Sequence, residues 1–219
     1  MSSARRTTID RISDATPTVT ERSTTRGNAS VRRQEILDTA TAVFAEKGIV
    51  GTTVRDISER AGILSGSLYH HFASKEEMIA EILAPVVQSQ VDAFDRIVAQ
   101  TDDPTEILRR GIAAAIAQTA ANPEVARILQ QDEHHIRDLP GLDEVVRQRR
   151  AIRDRIEAVI DNGITTGQFR SDADPRVTSM AIFDVVLGAY RHLNPIGRHT
   201  PDEVTRQLTA LTLNGLRAT

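Results

Sequence analysis

From Asp103 onward, four prolines that follow a residue able to cap a helix open a long stretch of helical spacing: Asp103-Pro104, Asn122-Pro123, Asp174-Pro175 and Thr200-Pro201. Each pair precedes a stretch with apolar residues at helical spacing. Proline holds φ at about −65° and has no N–H to donate, so it suits a first helical turn, where that N–H would lack a partner. The four pairs therefore mark four helix starts. Alternating runs of β-branched and aromatic residues, the mark of strands, are absent. The chain is predicted to be all-α, with about nine helices.

The remaining helices follow from apolar spacing and from caps. The first is predicted from Val31 to Lys47, with Ile36, Leu37, Ala40 and Phe44 on one face and Gly48 as its end. A second opens at Thr53, where Thr53 and Asp56 stand at capping-box spacing. The third is short and lies in Gly66–Phe72. Ser74 and Glu77 form a second capping-box pair opening a fourth helix to about Ala99, with Pro85 inside it as an expected kink. The others run from Pro104 to Ala121, Pro123 to Arg137, Leu142 to Gly163, Pro175 to His192 and Pro201 to Leu216. Residues 1–30 show no periodicity and read as a flexible arm. Three regions result: the arm at 1–30, a small helical domain at 31–78, and a larger one at 79–219.

Charge is distributed unevenly. The net charge is −3, yet residues 1–33 carry seven arginines against Asp10, Asp14 and Glu21. A basic arm on an acidic body suits one anionic partner at the N-terminal end. Arg26, Arg32 and Arg33 are the arm cations expected to lie along phosphates. The chain has no cysteine, which excludes disulfide scaffolds, thiol nucleophiles and thiolate zinc sites. It contains no HExxH and no GxSxG, so neither of those hydrolytic constellations is present, and no metal or cofactor is expected. No apolar run is long enough to span a bilayer, and a cytoplasmic location with no membrane partner is expected. Aromatic residues make up only 3%, too few for a base-stacking platform.

The segment Gly66-Ser67-Leu68-Tyr69-His70-His71-Phe72 holds two of the six histidines and one of the two tyrosines. The second helix, the turn at Gly62 and this short helix make a helix-turn-helix, whose second helix enters the major groove of double-stranded DNA. Leu68 and Phe72 stand four apart and point to the core. Ser65, Gly66, Ser67, Tyr69 and His70 are left for the outward face, as donors to base edges and phosphates. Adjacent histidines on a helix diverge by about 100°, so His70 and His71 are badly placed to share a metal.

The run from Thr52-Thr53-Val54-Arg55-Asp56-Ile57, through Ala61-Gly62-Ile63, to Gly66–Phe72 and Ser74-Lys75-Glu76 resembles the DNA-binding signature of the TetR/AcrR family of bacterial transcriptional regulators. The resemblance implies a repressor that is not an enzyme. It also implies phosphate contacts from Thr53 and Lys75, and a reading face of Ser65, Ser67, Tyr69 and His70. One position departs from the pattern. Leu64 stands where the family commonly has serine, which leaves Ser65 to cap the third helix. The stretch from Ala61 to Met78 also resembles the subgroup that controls steroid and cholesterol catabolism and responds to CoA thioesters.

In such an architecture the larger domain holds an apolar effector and the dimer interface. Ile112, Ile116, Leu129, Ile152 and Ile156 are the candidate lining, although any single one of them reads more simply as ordinary core. Arg149 and Arg153, four apart, are the candidates for holding the phosphates of an acyl-CoA effector; a solvated helix face is the alternative. The cluster Gln130–His135 lacks the two-histidine spacing of a helical zinc site. The homodimer is expected through the last two predicted helices: Val177, Ala181, Val185, Gly188 and Ala189 on one, Val204, Leu208, Leu211 and Gly215 on the other.

Overall fold

A computed structural model describes the backbone of residues 19–193 and 199–218, and their side chains from Ser30 onward. Among the described residues there are ten α-helices: α1 (Val19–Gly51), α2 (Val54–Arg60), α3 (Ser65–Leu68), α4 (Lys75–Val98), α5 (Pro104–Ala121), α6 (Pro123–Gln131), α7 (Glu133–Asp138), α8 (Asp143–Thr165), α9 (Pro175–Gly188) and α10 (Pro201–Leu216). A 3-10 turn at Ala189–Arg191 extends α9, and the one extended pairing among them is an isolated bridge between Phe169 and Arg217.

The four prolines each occupy the first turn of their helix. The side chains of Asp103, Asp174 and Thr200 cap the first turns they precede. Asn122 does not; its amide donates backwards to the Gln118 carbonyl at 3.1 Å. At α2 the capping box is complete, with the Thr53 hydroxyl on the Asp56 N–H and the Asp56 carboxylate on the Thr53 N–H. Gly48 leaves the helical region at φ 75°, and Gly62 turns the chain between α2 and α3 at φ 65°. Both are left-handed values that side chains resist.

Three helix boundaries differ from expectation. α1 begins at Val19 rather than Val31. Apolar periodicity reports burial rather than helicity, and no proline interrupts residues 19–30. The remaining arm residues, 1–18, lie outside the described residues. The sixth predicted helix divides at Asp132 (φ −109°, ψ 19°) into α6 and α7, because the Asp132 carboxylate turns inward to the Ile49 N–H. The eighth tightens into a 3-10 turn after Gly188. α4 runs through Pro85 as one helix.

Two cores result. The first packs Ile36, Ala40 and Phe44 of α1 with Ile57, Leu68, Phe72, Met78 and Leu83, and it takes Ile128 and Leu129 from α6. The second joins Phe94 and Ile97 of α4 to Ile107, Leu108 and Ile112 of α5, and to Ile152, Ile156 and Ile160 of α8. α4 therefore has its first half in one core and its last turns in the other.

Candidate DNA interface and effector cleft

The helix-turn-helix is held from behind by ion pairs. Lys47 reaches Asp56 and Arg60 reaches Glu46, joining α1 to both ends of α2. The Lys47 contact and the bonds from Thr53 hold the Asp56 carboxyl well below the usual carboxylate range. Arg33 sits over the Phe72 ring at 4.2 Å and donates to Glu81 at 2.6 Å and to the His71 carbonyl at 3.3 Å. It is thereby occupied in fixing α3 to α4. Arg32 pairs with Glu35 and reaches the Ala61 carbonyl. Two of the expected arm cations thus serve the fold, and the Arg26 side chain lies outside the described ones.

α3 is a single turn, continued through Phe72 by short backbone bonds from His70, His71 and Phe72 to Ser67 and Leu68. Leu68 and Phe72 are buried, as their spacing requires. Gly66, Tyr69 and His70 are exposed, while Ser67 and His71 are half-buried. Thr53 is exposed at the head of α2. Ser65 does not cap α3: Leu64 is the N-cap residue, with no side-chain bond, and the Ser65 hydroxyl pairs with Ser58 at 2.8 Å. Leu64 itself is 80% exposed beside the reading face. Such an apolar side chain suits a thymine methyl. Its position just before the recognition helix is the signal for this in the sequence. The Lys75 ammonium donates to the carbonyls of Ile49 (2.9 Å) and Thr52 (3.0 Å), which leaves one N–H for a phosphate.

In the larger domain an apolar cleft opens among α4, α5, α8 and α9. It is lined by Phe94, Ile112, Ile152, Ile156, Phe183 and, at one end, Gln118. Its free space is about 70 Å³, against roughly 300–1,000 Å³ for a small-molecule pocket. Three of the five expected apolar lining residues, Ile112, Ile152 and Ile156, are in it. Ile116 is fully buried in the core beside it, and Leu129 belongs to the first core, under the helix-turn-helix domain. Phe94, Gln118 and Phe183 were missed, because one residue's spacing does not say which side of a two-sided helix faces a cleft.

Arg149 is 4% exposed, and one nitrogen of its guanidinium is buried with no hydrogen-bond partner. It stacks on Phe183 at 5.1 Å, with Arg153 at 5.4 Å from the same ring. Burial pulls its pKa down to about 10 despite the nearby Glu133 carboxylate. Burial also pushes Glu133 up, but Arg137, Arg149 and Arg153 more than offset this and hold its carboxyl below the ordinary value. The two candidate arginines thus come together against Phe183, while Arg147 and Arg150 of the same helix are exposed and pair with Glu144 and Asp154.

Of the expected dimer residues, Val177, Ala181, Val185, Leu211 and Gly215 are exposed, and Met180 joins them. Gly188 and Leu208 are half-buried. Ala189 and Val204 are buried in the second core instead. Among the described residues no helix is long and apolar enough to cross a membrane, and no three metal-ligating side chains gather.

A helix-turn-helix carried on the end of a helix that also walls an apolar cleft is the build of a DNA-binding regulator. Comparison with known proteins specifies it. Residues 36–82 match the family described as bacterial regulatory proteins, tetR family, and residues 101–216 match the tetracyclin repressor-like C-terminal domain. The HTH-type transcriptional repressor KstR2 of Mycobacterium tuberculosis is 36% identical over 191 residues, covering 87% of this chain and 95% of that protein. The solved structure of that ketosteroid transcriptional regulator aligns with a TM-score of 0.79 at 35% identity, over 86% of this chain and 96% of the other. AibR, solved with isovaleryl coenzyme A and operator DNA, shares the fold at a TM-score of 0.68 and 23% identity, over 82% and 97% of the two chains. The chain belongs to the tetR family of transcriptional regulators, and it is not an enzyme.

Proposed function

We propose that the protein is a homodimeric repressor that leaves its operator when an apolar effector of the acyl- or steroid-CoA thioester class enters the cleft. The observation that carries this reading is the apolar cleft walled by α4, the helix whose first turn is fixed to the helix-turn-helix through Lys75. The 36% identity to KstR2, described as a ketosteroid regulator, supports the effector class. Thr53, Ser65, Gly66, Ser67, Tyr69, His70 and Lys75 form the DNA contact set, with Ser65 acting through its bond to Ser58. Ile112, Ile152 and Ile156 receive the apolar body of the effector, backed by Ile116. Arg149 and Arg153 receive its phosphates once Phe183 moves aside. The exposed stripe Val177, Ala181 and Val185 pairs with Leu211 across the dimer axis.

Because the cleft is narrow, an effector has to part the helices that line it. Parting them moves α4, and with it the spacing of two recognition helices that must match a groove repeat of about 34–36 Å. The effector then shifts the population toward a spacing that does not fit DNA. Fluorescence anisotropy on the DNA upstream of the gene tests this, with and without a panel of acyl- and steroid-CoA thioesters. Tight binding, weakened by His70→Ala and abolished by one thioester, is expected. Tight binding indifferent to every thioester removes the effector class, and weak, sequence-indifferent binding removes the operator reading.

A further inference from the structure

The effector cleft is apolar along almost its whole length, and its polar side chains, Gln90, Gln118 and Thr119, gather at one end. Gln118 is fixed there from two directions. Its amide nitrogen donates to the Ser89 hydroxyl at 2.7 Å, and its backbone carbonyl accepts from both the backbone and the side chain of Asn122. Yet its side-chain oxygen is buried and has no partner. A buried acceptor left unpaired is destabilising by about 1–3 kcal/mol. The Ser89 hydroxyl can donate as readily as accept, so turning the amide over would only exchange an orphan oxygen for an orphan nitrogen. In either sense one amide atom of this cleft-lining side chain is buried with nothing to bond.

Resting on the proposal that this cleft is the effector site, we infer that Gln118 is its specificity-determining contact, pairing with one hydroxyl on the otherwise apolar body of the effector that the cleft receives. A hydroxyl both donates and accepts, so it satisfies the amide in either orientation. An apolar body in a cleft of this kind gains its affinity from burial, and a single polar contact sets its orientation. Ser89 acts as a positioning residue: it is exposed and outside the cleft lining, and it holds the amide in place.

The test uses cyclohexanol and methylcyclohexane, which match in shape and differ in the one hydroxyl. Each is titrated into the full-length protein carrying labelled isoleucine methyls. Ile112, Ile152 and Ile156 report occupancy of the cleft, and the dissociation constant of each probe is read from their shifts. The measured quantity is the ratio of the two constants, in the wild type and in Gln118→Met, which keeps the side-chain length. Loss of one hydrogen bond changes that ratio against the alcohol by about three- to tenfold. Ser89→Ala, at an exposed position, shifts it in the same direction by less. An unchanged ratio in both variants, with the three methyls still responding, overturns the role of Gln118 and leaves the cleft as the effector site. Failure of both probes to move those methyls in the wild type overturns the effector site and the inference together.

Discussion

The backbone N–H of Ile49 donates to the Asp132 carboxylate at 3.2 Å, a bond between residues 83 apart in sequence that joins the two domains. Ile49 follows the left-handed Gly48, at the point where α1 gives way to the helix-turn-helix. Its own carbonyl accepts from Lys75 at the head of α4. Asp132 marks the break between α6 and α7, and the next residue, Glu133, contacts Arg153 at 3.5 Å. A connected path of polar contacts therefore runs from the arginines behind Phe183 to the base of the recognition unit.

Asp132→Ala should weaken that path. The Ile49 N–H loses its acceptor in a buried place, at a cost of about 1–3 kcal/mol, and the melting temperature falls accordingly. The response to effector should also shrink, by about 0.5–2 kcal/mol of coupling. Operator titrations with and without a releasing thioester, in wild type and variant, measure this as a double difference. Equal release in the two proteins would place the coupling elsewhere.

Arg149→Met should stabilise the protein and impair its response. A buried guanidinium with an unpartnered nitrogen is costly, and apolar replacement of such groups is often neutral or favourable by about 1–4 kcal/mol. Glu133 is not orphaned by the change, because Arg137 and Arg153 remain beside it at 3.1 and 3.5 Å. At roughly 2–4 °C per kcal/mol for a chain of this size, melting rises by several degrees. Release by a CoA thioester should meanwhile need a higher concentration. A lower melting temperature would make Arg149 a structural residue after all.

How much of this was legible in the sequence differs by feature. The proline pairs and the Thr53–Asp56 box fixed helix starts, because capping is local chemistry that a few residues carry whole. Leu68 and Phe72 were legible for the same reason, since four-residue spacing puts them on one face. The division at Asp132 was not, because its cause is an N–H on another helix. The same holds for Arg33, which reads as an arm cation until Glu77 and Glu81 of α4 are brought to it. Leu129 shows the converse limit: its spacing marks it as buried, but not in which of two cores.

Lys75→Met separates two roles of one ammonium. Loss of its bonds to the Ile49 and Thr52 carbonyls destabilises the helix-turn-helix by about 1.5–3 kcal/mol, the range for bonds to charged groups. If the remaining N–H holds a phosphate, the dependence of log affinity on log salt also falls by about one unit. Both changes are expected. Denaturation reads the first, and operator titrations at several salt concentrations read the second. A salt slope equal to the wild type's would confine Lys75 to its role within the fold.

Gly163→Ala should destabilise the protein against the trend of helix propensity. In an exposed helix the change is favourable by about 1 kcal/mol. Here, near the end of α8, an added Cβ would run into the ring of Phe169. That ring has little freedom to retreat. Phe169 is buried, its N–H bonds back to the Gly163 carbonyl at 2.9 Å, and its neighbours Arg170 and Gln168 bond to Leu216 and Ala218 at the end of α10 and just beyond it. Overpacking a site of this kind costs about 1–3 kcal/mol. The strain falls where the end of α10 is pinned to the turn after α8, and α10 carries Leu211 of the proposed dimer face. Sedimentation should therefore show a larger monomer fraction than in the wild type, and operator affinity should drop with it while His70 and Tyr69 are untouched. A variant that melts higher and stays dimeric would mean that the Phe169 ring yields freely and that the end of α10 does not support the interface.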